Sequence, residues 1–208
     1  MVIASHQQVN LDRALAALPK GVKGEVVDLR SAEAVRAMFG RIGPFDHLVY
    51  TAGEQLLLSA LADLDFDQAR RFFELRYWCA LNAVKCARPL IRTGGSIVFT
   101  GGAASKRPPP GFVIGASICG AMESVTRALA LELAPIRVNL VIPGFVDTGL
   151  WGNLPEANRN AMFAEAASKL PVKRIGTPDD IAEHYLSFIR GGYVTGQSIT
   201  VDGGGVLV

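Results

Sequence analysis

The sequence is short of cysteine, of histidine and of a dominant sign of charge, and each shortage removes a class of function. Cys79, Cys86 and Cys119 are odd in number and form no C-x-x-C pair, so neither a disulfide framework nor a cysteine-based zinc site is expected, and a reducing, cytoplasmic setting fits. His6, His47 and His184 lie far apart with no H-E-x-x-H spacing, so no metal centre is expected. Twenty-one Lys and Arg against 19 Asp and Glu leave a formal charge of +2. The basic residues are scattered, which removes the electrostatic footprint of a nucleic-acid binder and leaves small molecules as the expected partners. No uninterrupted apolar run approaches the ~18 residues of a membrane span, and MVIASHQQ at the front lacks the basic flank of a signal peptide. No membrane partner is expected.

Apolar residues make up 50% of the 208, enough to bury a sizeable core, and no repeat, low-complexity tract or linker divides them. One compact domain over 1–208 is expected. Short β-rich runs at 2–4, 25–27, 47–50, 96–100, 138–142 and 198–201 alternate with helical periods. Nearly continuous apolar strands with helices between them predict an α/β fold, a doubly wound parallel sheet covered on both faces. Helix starts are signalled at Asn10, at Ser31 (with Gly40 as the stop) and at Thr177-Pro178-Asp179-Asp180. In the last, threonine caps free N–H groups, proline suits the first turn and two aspartates face the positive helix end. Two long helices, 67–91 and 112–133, carry apolar residues on more than one face and predict a subunit contact.

Three glycine-bearing loops follow strand ends, where open α/β sheets bind ligands: TAGE at 51–54, GGAASKRPPPG at 101–111 and PGFVDT at 143–148. With RALALELAPIRVNLVIPGFVDT and YVTGQSITVDGG, these loops make the whole chain resemble the short-chain dehydrogenase/reductase family, Thr51-Ala52-Gly53 standing where that family has Asn-Asn-Ala-Gly. The resemblance implies a Rossmann-type domain, an NAD or NADP cofactor and hydride transfer between a carbonyl and an alcohol. It places Asp28 and Leu29 at the adenine, Thr51, Ala52 and Gly53 along the cofactor, and Pro143, Gly144, Val146 and Thr148 at the carboxamide. Ser5 and His6 end the first strand without a carboxylate, which favours NADP over NAD. It also implies a homodimer or homotetramer through the two long helices.

Two departures qualify that picture. The register of RALALELAPIRVN puts Gly115 and Cys119 where the family has Tyr-x-x-x-Lys, Gly102 at its serine and Arg76 at its asparagine, so all four usual catalytic positions are changed. A branch of the family with a basic residue at the Arg76 position and no Tyr-x-x-x-Lys is the nearer resemblance. Arg76 is the candidate catalytic residue. Lys106, Arg107, Ser105, Ser117 and Tyr77 are weaker substitutes, and Cys119 is expected to be buried and inert. Second, the chain begins at what resembles the family's second strand, without the first strand, the Gly-rich turn and the first helix. Dinucleotide binding is therefore expected to be weakened, and the chain is read either as starting too far downstream or as a remnant. The alternative function is a non-catalytic Rossmann scaffold that pairs with an intact relative.

Overall fold

The computed structural model describes residues 1–152 and 154–208. Strands and helices alternate: β1 (Val2–Ser5), α1 (Gln8–Ala17), β2 (Lys23–Val26), α2 (Ala32–Ile42), β3 (Phe45–Tyr50), α3 (Phe66–Phe73), α4 (Cys79–Ala87), β4 (Ile91–Thr100), α5 (Val113–Glu132), β5 (Arg137–Pro143), α6 (Glu156–Lys169), α7 (Pro178–Arg190) and β6 (Ser198–Val201). All six strand signals are realised, and every pairing is parallel. Alternation sends successive strand residues to opposite faces. Ile97, Phe99, Val138 and Leu140 pack in the core with residues of α2, α4 and α5. Val98 and Val141 pack on the other side with Ile181 and Phe188 of α7. This two-sided cover makes the fold a doubly wound, Rossmann-type α/β sheet.

The strands form two sheets rather than one: β1 pairs with β2, and β3-β4-β5-β6 form the other sheet. Strand β1 therefore pairs with neither β3 nor β4. The physical reason is hydration. Unpartnered strand groups are costly only when buried, and Val2 and Val49 are 36% and 39% exposed on β1 and β3. Among the strands, only β4 and β5, the interior ones, are buried over most of their length.

Two helix boundaries differ from the sequence reading. Asn10 lies inside α1, where its side chain donates to Gln7 Oε1 at 3.0 Å. Gly40 is inside α2, whose end is Gly43 at φ 69°, a left-handed conformation that glycine accepts without a Cβ clash. Helix α5 is long and apolar enough to cross a membrane by length and composition, yet its stripe Ile118, Met122, Thr126, Leu129 is buried as a core face.

The start of α7 matches its sequence signal in full. Thr177 Oγ1 accepts from the Asp180 N–H, while the Asp180 carboxylate accepts from the Thr177 N–H at 2.8 Å. Arg174 donates to both Asp180 oxygens at 2.6 and 2.8 Å. Arg174 first, then Thr177, hold the Asp180 carboxyl far below the ordinary range. A depressed folded value means the stabilisation is complete above the unfolded value of about 3.9 and is lost as pH falls through the folded one. A carbon-detected NMR titration should therefore find Asp180 still ionised at pH 3, and a midpoint near 4 would contradict the cap.

Candidate functional site

The carboxyl ends of β3, β4 and β5 open into a cavity of about 1450 Å³. Its walls include residues of the loops 51–56, 101–104 and 143–151, together with His6, Gln7 and Asn10 at the start of α1. Of the residues singled out in the sequence, His6, Thr51, Ala52, Gly53 and Arg76 line this cavity, as do Pro143, Gly144, Val146 and Thr148. Ser5, Asp28 and Leu29 do not. Asp28 is exposed and accepts from the Arg30 N–H at 3.0 Å, shaping the turn into α2, and Leu29 packs on the core. Ser5 Oγ accepts weakly from the Gln7 N–H at 3.5 Å.

The loop after β5 is fixed by the chain around it. Asp147 N–H donates to Gly176 O and Gly176 N–H donates to Phe145 O, both at 3.0 Å. The Trp151 indole N–H donates to Val146 O at 3.0 Å. Thr148 Oγ1 accepts from the Leu150 N–H, and its own hydrogen has no acceptor among the described residues. Gly144 is required by a close approach, since a Cβ there would stand 2.5 Å from the Asp202 Cβ.

Arg76 sits on a π-helical turn, Glu74–Trp78, between α3 and α4. Such turns shift the helical register and re-aim side chains, and they recur at functional sites. The guanidinium lies 4.4 Å over the Phe72 ring, its Nη2 donates to the Glu54 carbonyl, and its Nε is 3.6 Å from Glu54 Oε2. A Cβ at Gly53 would stand 2.7 Å from Nη1, so glycine there leaves room for the cation. Burial pulls the Arg76 pKa down and Glu54, the next cause, pulls it back up. Arg30 Nη2 approaches Glu54 Oε1 at 3.4 Å from the other side. Glu54 and Arg30 were not found by sequence reading. Their only signal is that Glu54 directly follows the TAG loop.

The four altered positions do converge on this cavity: Gly102, Gly115 and Cys119 line it with Arg76. Cys119 Sγ faces Gly102, 3.0 Å from where a Cβ on that residue would stand. Burial pushes the Cys119 thiol up to about 11, only partly offset by Arg76, so it is protonated and unreactive at neutral pH. The cysteine is partly buried.

Hydroxyls around the floor are already spent. Ser105 Oγ donates to Gly102 O at 3.1 Å and Ser117 Oγ to Val113 O at 2.8 Å. Tyr50 donates to Leu75 O at 2.6 Å, and Tyr185 pairs with Thr100 Oγ1 at 2.7 Å while that oxygen donates to Tyr50 O. Tyr77 packs edge-on against Phe73 and Trp78 and is absent from the cavity wall. Lys106 is paired with Glu123 at 3.5 Å, and Arg107 lines the cavity and donates to Gly205 O. The arrangement can polarise an oxygen through Arg76, but it holds no free phenol where the family's tyrosine stands.

Comparison with known proteins agrees with this geometry. Residues 1–205 match the family described as Enoyl-(Acyl carrier protein) reductase. The short-chain dehydrogenase/reductase ATR9 of Stachybotrys chlorohalonatus is 38% identical over 167 residues, covering 79% of this chain and 65% of that protein. The crystal structure of a small-chain dehydrogenase in complex with NADPH is 33% identical with a TM-score of 0.89, covering 100% of this chain and 98% of that one. The NADPH-bound short chain oxidoreductase of Pseudomonas aeruginosa PAO1, which contains an atypical catalytic center, is 25% identical with a TM-score of 0.88, covering 98% of this chain and 85% of that one. With the family matched over nearly its whole length, and its loops gathered at the strand ends around one cavity, the chain belongs to the short-chain dehydrogenase/reductase family of oxidoreductases.

Proposed function

We propose that the protein, read as one Rossmann-type unit over 1–208, is an NADP(H)-dependent reductase of a small-molecule carbonyl, with Arg76 as its electrophilic residue. The observation that carries this reading is the cavity itself, whose lining brings together a helix start without an acidic first turn, a fixed guanidinium and the 143–148 loop. Helix α1 has no acidic residue in its opening turn and no side-chain cap from Gln7. Its free N–H groups and dipole, with His6, Gln7 and Asn10 beside them, suit the 2′-phosphate of NADP. In the 143–148 loop Thr148 and the main chain near Val146 suit the carboxamide. Pro143, Gly144, Thr51, Ala52 and Gly53 would flank the cofactor, and a bound nicotinamide dinucleotide supplies the hydride. Arg76 polarises the substrate oxygen and holds the charge that develops there. The proton comes from water in the cavity, since the Tyr50, Tyr185 and Ser105 hydroxyls are engaged and Thr148 is assigned to the carboxamide.

NADPH should bind more tightly than NADH in a fluorescence titration. His6→Asp should reverse that order, because a carboxylate at the end of β1 repels the 2′-phosphate and suits a ribose hydroxyl. Equal affinities in the wild type, or no response to His6→Asp, would remove the adenosine end of this reading.

The rival, a scaffold that acts through its surface, draws support from the changed catalytic positions. Either reading accommodates assembly. Phe66 and Trp78 are 61% and 55% exposed on α3 and the π turn, and Leu131 is 84% exposed on α5. A homodimer or homotetramer built on these helices would cover such residues. Light scattering at high micromolar concentration should show more than a monomer, and a monomer would contradict assembly.

A further inference from the structure

We propose that Glu54 is the positioning residue for the Arg76 guanidinium, gripping it with both main chain and side chain, and that Arg30 steadies the carboxylate from behind. The proposal rests on the reading of Arg76 as the group that meets the substrate oxygen. Three observations carry it. The Glu54 carbonyl accepts from Arg76 Nη2 while its Oε2 lies 3.6 Å from Arg76 Nε, so a single residue holds two of the three guanidinium nitrogens. Glu54 Oε2 and Arg76 Nε are both shut off from solvent with no hydrogen-bond partner among the described residues, so their ion pair at 3.6 Å is what compensates each of them. Removing one strands its mate. Glu54 Oε1 has a separate partner, Arg30 Nη2 at 3.4 Å, which limits rotation of the carboxylate.

The remaining sides of the cation are closed by the Phe72 ring and by the backbone of Gly53. Neither Nε nor Nη1 has a hydrogen-bond acceptor among the described residues, but Nε is shut off from solvent beside Glu54 Oε2, so Nη1 is the nitrogen left for a ligand where Arg76 lines the cavity. Glu54 thus decides which edge of the guanidinium is offered to a ligand. The neighbouring Tyr50 hydroxyl donates to the Leu75 carbonyl and takes no part in the grip.

The test uses the full chain labelled with ¹⁵N and reads the Arg76 Nε–H correlation, assigned by its loss in Arg76→Lys. Glu54→Gln keeps the shape and the main-chain contact but removes the charge. It should speed exchange of the Arg76 Nε–H at least about tenfold, with a smaller acceleration in Arg30→Gln, and lower the thermal midpoint by a few degrees, while the chain stays folded and the NADPH dissociation constant stays near wild type. Turnover of Glu54→Gln should fall about 10- to 100-fold in kcat with little change in KM, the usual size of a supporting-residue effect. Unchanged Nε–H exchange in Glu54→Gln overturns the proposal, whatever happens to turnover. A loss of turnover that goes with a loss of NADPH binding overturns it as well, since that would make Glu54 a cofactor residue. Should the wild type reduce no carbonyl, the reductase reading fails by itself, and the exchange result still decides whether Glu54 holds the cation.

Discussion

Arg76→Ala should lower kcat by roughly 10² to 10³ while the NADPH dissociation constant changes by no more than a few-fold, because a lost preorganised donor to a developing oxyanion costs about that much. The guanidinium is pre-placed by Phe72, Glu54 and Gly53, so little ordering remains to be done when a substrate arrives. Arg76→Lys should recover only a small part of the loss, since an ammonium cannot hold Glu54 and an oxygen with separate planar edges. Cys119→Ala is the internal comparison. Its thiol, raised to about 11 by burial, is neither a nucleophile nor a ready proton source at neutral pH, and turnover should stay within a few-fold. Steady-state kinetics on the three variants decide the matter. Loss of activity in Cys119→Ala alone would show the roles on this floor to be wrongly assigned.

The second large effect concerns stability and lies away from the cavity. Arg137 is 8% exposed, and its guanidinium donates to Phe188 O at 2.7 Å, Ile189 O at 3.0 Å and Val194 O at 3.3 Å. Phe188 and Ile189 are in the last turn of α7, where carbonyls lack intrahelical partners and the dipole favours a cation. Burial pulls the Arg137 pKa down, and these carbonyls are what hold the charge. Arg137→Ala should cost about 3 kcal/mol, the upper range for hydrogen bonds to a charged group, with the Phe188 and Ile189 carbonyls left short while Val194 O keeps the Asn139 amide at 2.9 Å. At this chain length that is a fall of roughly 6–12 °C in the thermal midpoint. Calorimetry or a thermal melt by circular dichroism measures it, and a shift under about 2 °C would mean that water replaces the guanidinium without penalty.

What the sequence showed and what it hid divide along the range of the signal. The Thr177 cap, the Ser31 cap and the six strands are written in neighbouring residues, and the structure places them where the local chemistry points. The loops at 51–54, 101–104 and 143–148 were legible because glycine after an apolar strand has few other uses in this fold class. The Glu54–Arg76 grip was not legible. Its partners are 22 residues apart, and the register that joins them depends on a π turn for which the helical period gives no warning. Ser105 and Ser117 looked like spare hydroxyls in sequence, but both turn back onto nearby carbonyls, a local competition that residue type alone does not reveal. Asn10 misled for a related reason. Asparagine is a good cap, yet here the helix begins two residues earlier, at Gln8, without one.

The separation of β1–β2 from the four-stranded sheet bears on function because the cavity has walls in both. His6, Gln7 and Asn10 belong to the first unit, while Arg76 and the 143–148 loop belong to the second. Binding of a molecule long enough to touch both should link them. The measurement that tests the account most directly is NADPH oxidation by the wild-type chain across a panel of ketones and aldehydes, run beside a direct NADPH titration. The account predicts that NADPH binds and that at least one carbonyl is reduced, with the activity lost in Arg76→Ala. NADPH binding with no member of the panel reduced would contradict it and leave the scaffold reading in its place.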